Sequence, residues 1–149
     1  MTPRRINPPH YFLGALAAIF VLGWLPDAAS LLPAPWHWSG AVLVVVGIAL
    51  AAVAAGRFAK AGTNIVPLTP ATALVTNGPF AVTRNPMYLG MVLTLTGVAL
   101  LANTPWPWLV PPVFGAIIQL RFIRHEEAMM EATFGAAYRD YKARVRRWL

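Results

Sequence analysis

Apolar residues in this chain come in long blocks, and short polar segments separate the blocks. Tyr11–Leu25 is unbroken, pauses at Pro26-Asp27 and resumes over Ala28–Leu32. Ser39–Gly56 carries no charge, and Met87–Asn103 and Trp106–Phe122 are nearly as uniform. A bilayer core takes about 20 apolar residues per helix. The pattern therefore predicts an all-α integral membrane protein with four transmembrane helices, near residues 11–32, 39–56, 87–103 and 106–122. Gly47, Ala51 and Ala55 recur every four residues, and Gly90, Thr94 and Gly97 make a second small face. Such faces allow close helix contact. Ala102–Pro105 is short enough only for a tight turn, so the third and fourth helices are expected to be antiparallel. Pro111-Pro112 lies within the fourth and predicts a kink.

Between the second and third blocks, Pro67, Pro70 and Pro86 exclude a continuous helix. Ala73-Leu74-Val75 and Phe80–Thr83 flank the turn signal Asn77-Gly78, which predicts an extended, hairpin-like loop. A connection this long in a compact protein is more often functional than idle. In the final segment, 123–149, Phe134, Tyr138, Tyr141, Val145 and Trp148 are spaced as one face of a helix. Arg139, Asp140, Lys142, Arg146 and Arg147 fill the rest, as in an amphipathic helix lying on anionic lipid. Gly135 is expected to separate it from the extension of the fourth span. Lipid contact does not account for two tyrosines on the inner face, whose hydroxyls need partners when buried.

Composition sharpens the class. Only 11% of the 149 residues are charged and 58% are hydrophobic, against about 25% and about 45–50% in soluble domains. The length suits one membrane-embedded domain. Cysteine is absent, which excludes disulfides, thiolate metal sites and a cysteine nucleophile. The net charge of +7 points to membrane lipid and not to nucleic acid, because all 12 Lys and Arg fall on one side of the four-span arrangement. That side is cytoplasmic by the positive-inside rule, with both termini there. Trp36, Trp38, Trp106 and Trp108 form an aromatic belt at the other edge. Arg4 and Arg5 before an apolar run also fit a cleaved signal peptide, but the run is at the long end for one. A retained helix is the favoured reading.

His125-Glu126-Glu127 opens like a zinc-protease helix but lacks the second histidine, and His10 and His37 lie in other regions, so no metal site is expected. Ser30 and Ser39 are not placed plausibly for a Ser-His nucleophile, and there is no glycine-rich phosphate loop. The remaining polar set is Arg84, Asn85, Tyr88, Glu126, Glu127, Tyr138, Tyr141 and Arg144. A helical hairpin brings Arg84–Tyr88 and Arg121–Glu127 to one membrane level. The bland account is a surface ion-pair network of little energetic weight, with Asn85 as N-cap and Pro86 opening a helix. A helix N-terminus also offers free N–H groups to an anion.

Leu74-Val75-Thr76-Asn77-Gly78-Pro79-Phe80, followed by Arg84-Asn85-Pro86-Met87-Tyr88-Leu89-Gly90, resembles the signature of isoprenylcysteine carboxyl methyltransferases. Phospholipid N-methyltransferases share parts of it. Glu126-Glu127 and then Phe134–Val145 resemble the closing motif of that family. The resemblance covers about the C-terminal half. It implies an integral membrane enzyme using S-adenosyl-L-methionine at the cytoplasmic ends of the last spans. Arg84, Asn85, Pro86, Tyr88, Leu89 and Gly90 would form one wall of the cofactor site, and Glu126, Glu127, Tyr138, Tyr141 and Arg144 the other. Arg84, Asn85 and Glu127 would be the catalytic members. The cofactor needs a cation for its carboxylate, which Arg84 or Arg144 can supply, and acceptors for its ammonium, which Glu126 and Glu127 can supply.

The implied acceptor is a lipophilic small molecule or lipid-anchored substrate entering from the bilayer, through a carboxylate, thiolate or lipid amine. An anionic group needs no general base, and no base is evident at the apolar face. Two departures bear on the acceptor: Asn85 stands where the family usually has histidine, and Arg146-Arg147-Trp148-Leu149 stands where a proline-containing end is usual. The rival readings are an NADPH-dependent membrane reductase of the sterol-reductase type and a small four-span transporter. The transporter would need an essential acid within a span, for which Asp27 is the candidate.

Overall fold

The computed structural model describes residues 7–25 and 29–149. The regular elements among the described residues are helices, with no strand. The helices are α1 (Pro8–Gly23), α2 (Ser39–Lys60), α3 (Pro86–Ala102), α4 (Val110–Ile118), α5 (Arg124–Phe134) and α6 (Ala136–Arg144). Two helical stretches are long and apolar enough to cross a membrane, Trp36–Lys60 and Trp106–Phe134, and α1 and α3 are shorter apolar helices. Arg4, Arg5 and Asp27, which entered the topology and transporter arguments, lie outside the described residues.

The seam between α2 and α3 is made by small residues. A Cβ on Gly47 would lie 2.5 Å from the Gly90 carbonyl oxygen, and one on Gly90 would lie 2.5 Å from the Gly47 carbonyl oxygen. Gly40 and Gly97 repeat this reciprocal contact further along. Backbones this close pack without hydrophobic bulk, as expected for helices sharing an apolar solvent. Ala54, and not Ala55, is the fully buried residue of the next turn. The outer side of α2 exposes Val42, Val45, Val46 and Ile48. On the other side of α3, a core of Ile19, Leu95, Phe114, Ile118, Phe122 and Ile123 joins α1, α3, α4 and the turn that follows α4.

Four expectations are corrected. The first apolar block is not one helix to residue 32, because α1 ends at Gly23. The residue before a proline disfavours the helical region, and Leu25 precedes Pro26. Beyond it, the Leu31 and Leu32 amides donate to the backbone and side-chain oxygens of Asn103, at 3.1 and 2.9 Å. Asn103 itself takes φ +54 to close α3. Pro111 and Pro112 stand in the first turn of α4, where N–H groups have no intrahelical partner to lose. That rod is irregular on both sides of α4, as a 3-10 turn at Trp106–Leu109 and a π turn at Gln119–Ile123. The loop before α3 is not hairpin-like, since Gly78–Ala81 forms a 3-10 turn with Gly78 at φ +61. Pro79 lies within that turn and brings no N–H to a ladder.

The fourth correction concerns the amphipathic helix, which ends at Arg144 and does not reach Trp148. Gly135 does break the rod, at φ +54 and ψ −122. Val145 turns extended, and the last residues run as a strap beside the entry to α3. Thr83 and Arg146 form a parallel bridge there.

Candidate functional site

Pro86 fixes the first turn of α3, so Arg84 and Asn85 are held just outside the helix. Asn85 accepts the Leu89 amide through its backbone oxygen, at 2.9 Å. Its side chain does not cap the helix, as the sequence suggested. The Asn85 amide instead donates to the Arg147 carbonyl at 3.0 Å, beside Thr83, whose hydroxyl donates to the same oxygen at 3.1 Å. The Arg84 amide donates to the Arg146 carbonyl at 2.9 Å. The Thr83–Asn85 segment thus reads the backbone of the C-terminal strap. The Trp148 indole donates to Gln119 Oε1 at 2.7 Å and anchors the strap on the π turn.

At the centre of this end, Glu127 is 7% exposed. It accepts from Arg84 Nε and Nη2 at 3.2 and 2.8 Å. It also accepts from Arg147 Nε and Nη2 at 3.0 and 2.6 Å. The remaining Arg84 nitrogen donates to the Lys142 and Val145 carbonyls at 3.1 and 2.6 Å. Arg84 therefore staples the entry of α3 to α5, to the end of α6 and to the strap. The hydrogen bonds that Arg147 donates to Glu127 push its guanidinium up from the ordinary value.

Glu126 faces elsewhere. It accepts the Tyr88 hydroxyl at 2.8 Å, and no cationic side chain pairs with it among the described residues. Tyr138 and Tyr141 are buried, with their rings 6.1 Å apart. Burial pushes Tyr138 up to about 12, with the Glu127 charge adding to it. Burial also pushes Tyr141 up to about 12. Both hydroxyls therefore keep their protons at neutral pH. Tyr141 donates to the Phe80 carbonyl at 2.7 Å. The Tyr138 hydroxyl has no hydrogen bond to a described residue.

These groups line one cavity of about 430 Å³, within the range of small-molecule sites. Arg84, Asn85, Pro86, Tyr88, Glu126, Glu127, Tyr138 and Tyr141 are all on its wall. Three residues implied by the resemblance are not. Arg144 turns back to the Asp140 carbonyl of its own helix. Leu89 lies within the first turn of α3, and Gly90 packs on α2.

The sequence reading missed two parts of the site. Met87, Met91, Met129 and Met130 supply an apolar wall, closed by Thr63–Thr69 and by Pro8 and Pro9. The methionine pairs were visible in the sequence on either side of the helical hairpin. Helical spacing groups Arg147 with lipid-facing basic residues, but the segment after Arg144 is not helical.

The donor set fits a zwitterionic nucleoside such as S-adenosylmethionine. Arg84, ion-paired to Glu127 with Arg147 behind that pair, stands on one part of the wall, and the half-buried Glu126, which no described cation pairs with, stands on another. A free tyrosine hydroxyl and a soft apolar surface complete it. The sequence model of a family described as phospholipid methyltransferase matches residues 35–137. An uncharacterized protein of Haemophilus influenzae is 40% identical over 63 residues, which are 42% of this chain and the whole of that protein.

Proposed function

The chain belongs to the phospholipid methyltransferase family, which is related to the isoprenylcysteine carboxyl methyltransferases, and from that premise we propose that it uses S-adenosylmethionine to methylate a lipophilic acceptor at the cytoplasmic membrane face. The observation that carries this reading is the division of the cavity wall. Glu126, hydrogen-bonded to Tyr88 and without a cation, would take the cofactor's ammonium. Arg84, on the wall and backed by the Glu127–Arg147 pair, would take its carboxylate. Tyr138 would reach a ribose hydroxyl, and the methionine wall would pack the adenine and border the acceptor's path. Asn85 would act by holding the strap in register.

The four apolar blocks would cross the bilayer as one domain, with the site and both termini on the cytoplasmic side. S-adenosylmethionine supplies an electrophilic sulfonium methyl group. The protein's share is alignment and exclusion of water, which brings an acceptor nucleophile within attack distance in a fixed direction. An anionic acceptor needs no proton removed. An amine must arrive unprotonated, because the ammonium would occupy Glu126 and the two arginines occupy Glu127.

Purified protein in lipid nanodiscs is expected to bind S-adenosylhomocysteine. With methyl-labelled cofactor and host membrane lipid, it is expected to yield a labelled lipid-soluble product. Mass spectrometry of that product identifies the nucleophile. Absence of any affinity for the nucleoside would refute the assignment.

A further inference from the structure

We infer that Arg147 is a positioning residue that sets the preference of the cavity for a ligand bearing a carboxylate; this rests on the cofactor reading above. Arg84 and Glu127 alone form a neutral pair, with N–O separation 2.8 Å. Arg147 closes on the same carboxylate from the strap, at 2.6 Å, and makes the cluster net positive. Arg147 is not on the cavity wall, whereas Arg84 and Glu127 are. It acts from behind Glu127. By sharing the Glu127 charge, it leaves the Arg84 guanidinium only partly neutralised on the side facing the cavity. Arg84 is 8% exposed and bonded through every nitrogen, so it cannot move to compensate. The wall's charge is therefore set by whether Arg147 is in place.

The strap holds it in place by a device independent of the ion pair. The Arg147 carbonyl accepts from Thr83 and Asn85, the Arg146 carbonyl accepts from the Arg84 amide, and the Trp148 indole is tied to Gln119. Removing the Arg147 charge leaves these four bonds intact. This separates its electrostatic effect from the docking of the strap.

Binding is measured by calorimetry on the full chain in nanodiscs, with two probes. S-adenosylmethionine carries the carboxylate, and decarboxylated S-adenosylmethionine lacks only that group. The unaltered protein is expected to prefer the first by on the order of tenfold, as for a hydrogen-bonded charge. Arg147→Gln is expected to remove most of that preference by weakening the first probe, with the second bound as before. Arg147→Lys, which keeps the charge, is expected to restore it. Equal weakening of both probes would make Arg147 a merely structural residue and overturn the inference, as would no change in either. If the unaltered protein binds neither probe, the cofactor reading itself fails, a result distinct from both.

Arg147→His provides a check within one variant. Imidazole gains its charge below about pH 6.5, so the preference is expected at about pH 5.5 and lost by about pH 8. A preference that does not change with pH in this variant, relative to the unaltered protein, would equally overturn the inference.

Discussion

Glu127→Gln is expected to loosen the end of the molecule that carries the cavity. Glu127 accepts four charge-assisted bonds from two arginines, between 2.6 and 3.2 Å. Glutamine keeps the volume but loses the charge and one acceptor oxygen, and it sets an N–H group against a guanidinium. The two arginines respond differently. Arg84 stays buried, because its remaining nitrogen is fixed to the Lys142 and Val145 carbonyls. The Arg147 side chain is 33% exposed and can turn towards water. Removing one partner of a buried ion pair costs about 3–5 kcal/mol. Partial relief through Arg147 puts the expected loss near the lower end, at about 3 kcal/mol.

For a chain of this size, 1 kcal/mol moves the melting midpoint by about 2–4 °C. Glu127→Gln is therefore expected to lower it by about 6–12 °C, read from thermal unfolding in nanodiscs. A double-mutant cycle with Arg147→Gln isolates the interaction. Residues sharing a salt-bridge network couple by about 0.5–3 kcal/mol. Additivity within about 0.3 kcal/mol, or a Glu127→Gln midpoint within about 2 °C of the unaltered protein, would refute the reasoning. The cluster would then be an adornment of the surface and not a brace.

Gly47→Val places a side chain 2.5 Å from the Gly90 carbonyl and the Thr94 hydroxyl, where backbone cannot yield. It is expected to cost at least about 1–3 kcal/mol, whereas Gly56→Ala, with nothing within 4 Å, should leave the midpoint unchanged or raise it. Equal midpoints for the two variants would contradict the close seam. Tyr141→Phe strips the 2.7 Å bond to the Phe80 carbonyl and is expected to cost about 1–3 kcal/mol. Amide exchange over residues 78–83 should accelerate; unchanged exchange and an unchanged midpoint would count against that bond.

Much of this arrangement was legible in the sequence because it depends on local pattern. Blocks of apolar residues give the helices, and a three-residue connection after α3 brings its start level with α5. Tyr88 and Glu126 meet as that geometry requires. Small residues at Gly47, Gly90 and Gly97 mark the seam because nothing else permits such approach. The errors fall where distant segments decide. Nothing in residues 29–32 announces that Asn103 will hold them out of a helix. Asn85 before Pro86 has the makings of a cap, yet its amide is taken by the Arg147 carbonyl. Helical spacing runs on to Trp148, four residues past the end of α6, and so assigns Arg147 to a lipid-facing surface it does not occupy.

The adjacent acids show why a hairpin suffices to build such a site. Neighbours on a helix do not face each other, since each residue turns about 100° from the last. Glu126 therefore points to Tyr88 on α3, while Glu127 points to Arg84 and the strap. The chain has only five acidic residues, and two of them occupy consecutive positions at this one level. Placed so, they do opposite work. One is held between two guanidinium groups; the other is kept from cations, accepts the Tyr88 hydroxyl, and is pushed up from the ordinary carboxyl value by its burial. On the proposed reading, a zwitterion would be oriented by this single dipeptide on a single rod. Exchange of the two environments, and not loss of charge, is what would reverse the orientation of a bound ligand.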